Sequence, residues 1–346
     1  MKKKITILLC LIIMTAVLGA CAGDIPEPNA IIATEPAATA PQSAATPTPP
    51  PAALPVELPV TPPAETGPRP RPEVDREGYP ITLPETINTI LSIGPSNTEV
   101  LVALGAADRI IAVDMFSEDV EGLPDGISAR LSIVGLDAEY VVSLMPDLVF
   151  ITGMARVSGD DDPLAPVSAA GITVIYMPSS TSIAAIIEDI RFMSAVLEEH
   201  EAGEAIISDM QAEIDEITEI AANIQTSRTV YFELSPAPWM VSFGQGTFLN
   251  EMIELLGAEN IFSDAEGWIS VSDEVLIDLN PDVILTSTDW LDDPIGEIKQ
   301  RPGFGAITAV INGDIFQICT ASSNRPNHNI VRALREMAVA VFPEYF

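Results

Sequence analysis

The chain has 346 residues, with 50 Asp and Glu against 16 Lys and Arg, a formal charge of -34. So acidic a chain excludes nucleic acid as its partner, because a phosphate backbone is met by a basic footprint. Its three cysteines (Cys10, Cys21, Cys319) and two histidines (His200, His328) supply neither a disulfide framework nor a three-histidine metal site.

Lys2, Lys3 and Lys4 precede an apolar run from Ile5 to Leu18, the pattern of an export signal and too short for a permanent span. The run ends in Leu18-Gly19-Ala20-Cys21, which resembles the bacterial lipobox. Residues 1–20 are therefore expected to be a lipoprotein signal peptide, with Cys21 acylated at the start of the mature chain. Residues 21–80 are rich in Ala, Pro and Thr, with no aromatic before Tyr79. That composition cannot build a core and predicts a disordered, extended tether.

Residues 85–180 read as a first lobe. A strand over Ile87–Ile93 leads through Gly94-Pro95-Ser96-Asn97, with a cap-type residue, into a helix ending at Gly105. Glu99 in its first turn suits the helix dipole. Strands follow at Arg109–Val113, Leu148–Ile151 and Gly171–Tyr176. Continuously apolar strands alternating with helices predict an α/β fold with a parallel sheet covered on both faces. In such sheets ligands sit at the loop end after each strand. Ser96, Met115, Phe116, Met154 and Arg156 then share one edge with Ser179 and Ser180.

Residues 181–225 read as a helical connector, with apolar residues at helical spacing from Ile183 to Leu197 and from Ile206 to Ile220, and a break at Gly203. His200 reads as a solvated helix-end residue. A second lobe, 226–346, opens with the strand Arg228–Leu234 and closes with the helix Ile330–Val341. It repeats a phrase of the first. Glu139 to Pro146-Asp147 and Glu274 to Pro281-Asp282 have the same spacing, and an apolar strand follows each. Two such units predict two similar lobes.

The three tryptophans, Trp239, Trp268 and Trp290, fall in loops near the expected cleft with Phe243, and suit a large flat or apolar ligand. Arg156 and Arg325 stand out in so acidic a chain. Each has the fork of donors for a ligand carboxylate or phosphate, or for a local carboxylate pair. No nucleophile–histidine–acid set is present, and Gly244-x-Gly246 lacks the rest of a dinucleotide loop. The reading is of a binding protein and not an enzyme.

From Ile93-Gly94-Pro95-Ser96-Asn97-Thr98-Glu99 through Leu104-Gly105-Ala106, Arg109-Ile110, Glu139 and Pro146-Asp147-Leu148-Val149, the chain resembles the iron-siderophore/vitamin B12 family. These are extracytoplasmic substrate-binding proteins of ABC importers. The resemblance covers roughly residues 85–345 and implies a class III periplasmic-binding-protein fold, two lobes joined by a long rigid helix, over 85–346. It implies an ABC permease and ATPase as partners, with Glu139 and Glu274 docking against permease arginines; Glu99, in a different turn, is the weaker docking candidate. It implies no resident cofactor, and an iron- or cobalt-containing ligand, a ferric siderophore or a corrinoid. The alternatives are haem, with Met115, Met154, Tyr176 or His328 as axial ligand, and a ligand-sensing lipoprotein without a transport role. The expected location is extracytoplasmic, held to the bacterial cell membrane by the lipid.

Overall fold

The computed structural model of the protein describes residues 70–127, 129–131, 136–155 and 162–346, with 129 and 130 by backbone alone. The leader, Cys21, most of the expected tether and Arg156 lie outside the described residues. The strands are β1 (Ile90–Ile93), β2 (Ile110–Asp114), β3 (Ala129–Leu131), β4 (Leu148–Thr152), β5 (Thr173–Met177), β6 (Thr229–Glu233), β7 (Val241–Phe243), β8 (Glu259–Asn260), β9 (Trp268–Ser270), β10 (Val283–Thr286) and β11 (Ile315–Gln317). The first sheet runs β3-β2-β1-β4-β5 and the second β11-β10-β6-β8. Every pairing within these two sheets is parallel. Outward from β1 and from β6 the two sheets have one topology, with β2 matching β8, β4 matching β10 and β5 matching β11. Strands β7 and β9 form a separate antiparallel ribbon.

The first lobe carries helices α1 (Pro95–Ala103), α2 (Ala138–Leu144) and α3 (Ala165–Ala169). The connector is α4 (Ile183–Leu197) and α5 (His200–Ala221). The second lobe carries α6 (Phe248–Leu255), α7 (Asp273–Leu279), α8 (Pro294–Gln300), α9 (Thr308–Asn312), α10 (Thr320–Ser323) and α11 (Ile330–Val341). At 22 residues α5 is about 33 Å long. Near its start Glu199 pairs with Arg109 of the first lobe at 2.7 Å. Further along, Glu213 and Glu216 pair with Arg335 of α11 at 2.5 and 3.0 Å. This helix joins the two lobes.

Alternation along the strands covers both faces of each sheet. Ile90, Phe150 and Ile175 face a core shared with α4 and α5, and Leu91, Val149 and Ile151 face the opposite side. In the second lobe Val283 and Leu285 join the shared core, while Ile284 packs with Phe304 and Ile307 behind the sheet.

The repeated phrase has one structure in both lobes. Helices α2 and α7 each run seven residues and end on a left-handed residue, Met145 (φ 47°) and Asn280 (φ 48°). Pro-Asp then enters the strand beside β1 or β6. Asp147 Oδ2 accepts from the N–H of Asn88 and Thr89 at 2.8 and 2.9 Å. Asp282 Oδ2 accepts from the N–H and hydroxyl of Thr229, both at 2.9 Å. Each aspartate thereby fixes the start of its lobe's central strand. It also shortens the first strand, read as Ile87–Ile93, because the N–H groups of Asn88 and Thr89 go to a carboxylate. The second echo, Leu-Gly-Ala, is a matched helix end. Gly105 (φ 79°) and Gly257 (φ 70°) take the left-handed position, and Ala106 and Ala258 donate back to the carbonyls of Leu101 and Ile253.

Three expectations are corrected. Gly203 is not a helix break: it is buried within α5, where a Cβ would come within 2.5 Å of Ser194 on α4. Its missing side chain lets the connector helices approach. The break falls at Glu198 (φ 62°). The turn before α1 has no side-chain cap; Gly94 holds the cap position and Pro95 the first turn. The stretch read as tether to residue 80 includes residues that pack on the fold. Asp75 is buried and accepts from the N–H of Glu77 and Tyr79, and Arg76 reaches Asp189 of α4 at 2.7 Å.

Candidate functional site

Because β1, β2, β4 and β5 are parallel, their trailing loops meet at one edge of the first sheet, as the sequence predicts. The loops after β6, β10 and β11 meet likewise on the second. The loop after β2 is organised by Asp114, a fully buried carboxylate. It accepts from the N–H of Gly94 at 2.6 Å, the N–H of Phe116 at 2.8 Å and the hydroxyl of Ser117 at 2.6 Å. One aspartate thus sets the backbone that carries both Ser96 and the Met115-Phe116 pair. All three are half-buried. Met154 lies in the short turn after β4 and is exposed.

The tryptophans are solvent-facing: Trp239 is 63% exposed, Trp268 50% and Trp290 36%. Trp239 and Trp290 are in the loops after β6 and β10; Trp268 opens β9, so it lies on a strand and not in a loop. Phe243 corrects the expectation of a ligand contact. Its side chain is fully buried, packed on Phe232 with ring centroids 5.6 Å apart and against the edge of Trp268 at 6.2 Å. It belongs to the core that β6 shares with the connector helices.

Arg325 takes the carboxylate pairing that its sequence reading left open, and its partner is on the other lobe. Its Nη1 donates to Glu99 Oε1. The second oxygen of Glu99 accepts from the side-chain amides of Asn327 at 2.6 Å and Asn329 at 2.9 Å. Three donors on the loop after α10 converge on one carboxylate of α1. His328 stands between the two asparagines, its Nδ1 buried with no hydrogen-bond partner among the described residues. Burial pushes its pKa down and the Glu99 charge pulls it back up.

Beneath the Trp239 loop lies a second guanidinium. Arg301 binds Glu233, the last residue of β6, through two bonds of 2.6 and 2.9 Å, and Glu297 at 3.0 Å. It also touches Met240 Sδ at 3.2 Å, tying the network to the loop that carries Trp239. Burial raises the Glu233 carboxyl above its ordinary value, and Arg301 opposes that rise.

Glu139 and Glu274 occupy equivalent first-turn positions of α2 and α7, both exposed. Glu274 is held below the ordinary carboxylate range by its own N–H and the Ser272 hydroxyl. Exposed apolar residues flank both, Tyr140 and Met145 on one lobe, Val275 and Leu279 on the other.

Sequence reasoning missed Glu99 as a contact between lobes, and missed Asn327, Asn329, Asp114 and the Glu233–Arg301 pair. Glu99 and Arg325 are 226 positions apart, and no local signal joins them. Asp114 at a strand end and Arg301 as a scarce cation were visible signals.

A family model described as periplasmic binding protein matches residues 90–320. The chain is 27% identical over 277 residues to the uncharacterized ABC transporter substrate-binding lipoprotein YvrC of Bacillus subtilis, covering 79% of this chain and 85% of that one. It is 27% identical over 296 residues to the cobalamin-binding protein of Halobacterium salinarum, covering 79% and 77%. Among solved structures, a possible iron-binding periplasmic solute-binding protein from Staphylococcus epidermidis superposes with a TM-score of 0.65 at 26% identity, covering 75% of this chain and all of that one.

Proposed function

Since this chain belongs to the periplasmic binding protein family, as an extracytoplasmic substrate-binding component working with an ABC permease and ATPase, we propose that it captures a large metal chelate, a corrinoid or an iron complex, between its lobes. The single observation that carries this reading is the exposure of three second-lobe tryptophans, Trp239 and Trp290 in the loops after the parallel strands β6 and β10 and Trp268 on the antiparallel strand β9. Exposed indoles are costly to leave in water, and they suit a broad, partly apolar ligand. The names of two relatives, cobalamin-binding and possible iron-binding, support the same ligand chemistry.

Delivery follows from the duplication. Glu139 and Glu274 are placed alike on the two lobes, so a permease that reads both reads lobe position as well as identity. The apolar residues beside each supply contact area that charge alone does not. Acylation of Cys21 would hold the protein at the membrane, with the Pro-rich segment as its leash.

The reading is tested by uptake. Cells lacking this gene should lose accumulation of radiolabelled cobalamin or of iron from a siderophore complex, and regain it from a plasmid copy. Unchanged uptake of both in a strain with no second importer would refute it.

A further inference from the structure

Two guanidinium groups, those of Arg325 and Arg301, reach the loops at the ligand edge of the second lobe, and neither is free for an anion. Arg301 is shared by Glu233 and Glu297. Arg325 is taken by Glu99, which also consumes the amide donors of Asn327 and Asn329. The side chain of Glu99 is only 11% exposed, so this is a sheltered contact where charge-assisted bonds count for more than at an open surface. An anionic ligand seeking Arg325 must first displace that carboxylate and leave it without its three donors. Burial of His328 disfavours its protonated form, opposed by the Glu99 charge. The neighbouring loop after β10 carries Trp290 among Asp289, Asp292 and Asp293, all exposed, a field that repels anions.

We propose that Glu99 is a specificity-determining residue. From the first lobe it occupies the anion-binding donors of the Arg325–Asn329 loop, and so selects neutral or cationic chelates over anionic ones. The inference rests on the transport reading and narrows it toward corrinoid-like ligands. Selection here comes from a built-in competitor as much as from attraction.

The test uses the mature chain with Cys21→Ser to prevent acylation, titrated calorimetrically with neutral cyanocobalamin and with anionic ferric enterobactin. The wild-type cleft should prefer the neutral ligand. Glu99→Gln keeps an oxygen for the asparagines but releases Arg325, and should tighten ferric enterobactin about tenfold or more while leaving cyanocobalamin within about threefold. The double variant Glu99→Gln/Arg325→Gln, which carries no unpaired charge, should lose that gain. Tighter wild-type binding of the anion, or no gain in Glu99→Gln, overturns the inference and leaves the transport reading intact. Binding of neither ligand overturns both.

Discussion

Asp282 and Thr229 are joined by three side-chain hydrogen bonds. The Asp282 carboxylate accepts from the Thr229 N–H and hydroxyl, both at 2.9 Å, and the Asp282 N–H donates to the same hydroxyl at 3.0 Å. Asp147 and Thr89 stand in the same relation in the first lobe, with the Asp147 N–H donating to Thr89 Oγ1 at 2.9 Å. The Pro-Asp step is therefore a structural pin in each lobe, while the glutamate eight positions before it faces outward. Asp282→Ala leaves the Thr229 N–H without its partner and should lower stability by about 1.5–3 kcal/mol, measured by urea denaturation. Ligand affinity of the folded variant should stay unchanged.

Charge reversal at the outward positions should do the opposite. Glu139→Lys and Glu274→Lys touch no buried partner, so melting temperature and ligand affinity should hold. Uptake through the permease should fall by at least about tenfold for either, a loss of the size expected when a charge pair at an interface is reversed. Loss of affinity instead would place these residues at the cleft and contradict the docking role.

The connector offers a packing test. Alanine at an exposed helical glycine normally stabilises by about 1 kcal/mol. Gly203→Ala should destabilise by about 1–2 kcal/mol instead, because the new methyl meets Ser194 at 2.5 Å. Denaturation with and without Ser194→Gly gives the answer: the second substitution should recover most of the loss.

Buried carboxylates set a pH signature. Burial raises the pKa of Asp189, Glu233 and Glu251. The folded state then holds these protons more tightly than the unfolded chain, so their contribution falls as pH rises from the ordinary carboxylate range through the raised value. His328, lowered by burial, runs the other way, losing its contribution as pH drops below the ordinary histidine range. Asp147, lowered chiefly by the Asn88 N–H, loses its contribution only in stronger acid. Asp189→Asn isolates one raised group. Relative to wild type its melting temperature should improve as pH goes from 4 to 7, and a pH-independent difference would contradict the assignment.

Much of this architecture is legible in sequence because it is local. The helix Ile330–Val341 and the two Pro-Asp strand entries depend on near neighbours, and parallel strands follow from apolar runs between helices. Phe243 was misread because its burial depends on packing against Phe232 of β6 and on the edge contact with Trp268, neither of which is a local signal. The packing of Arg76 on Asp189 joins positions 113 apart, so the composition of the Pro-rich segment gave no hint of where it ends. The Glu99–Arg325 contact is the extreme case: Arg325 stands out as a scarce cation and Glu99 suits its helix dipole, but nothing local joins positions 226 apart. The repeat is local and legible, whereas the Glu99–Arg325 contact joins parts of the chain that do not repeat.

Cleft occupancy is most directly tested by intrinsic fluorescence of the mature Cys21→Ser protein titrated with cyanocobalamin, cobinamide, haem and ferric siderophores. With Trp239 and Trp290 exposed in the loops after β6 and β10, a bound chelate should quench emission saturably with 1:1 stoichiometry. Trp239→Phe and Trp290→Phe should each remove part of the quenching. Absence of saturable quenching by every one of these ligands would contradict the assignment of this cleft to a metal chelate.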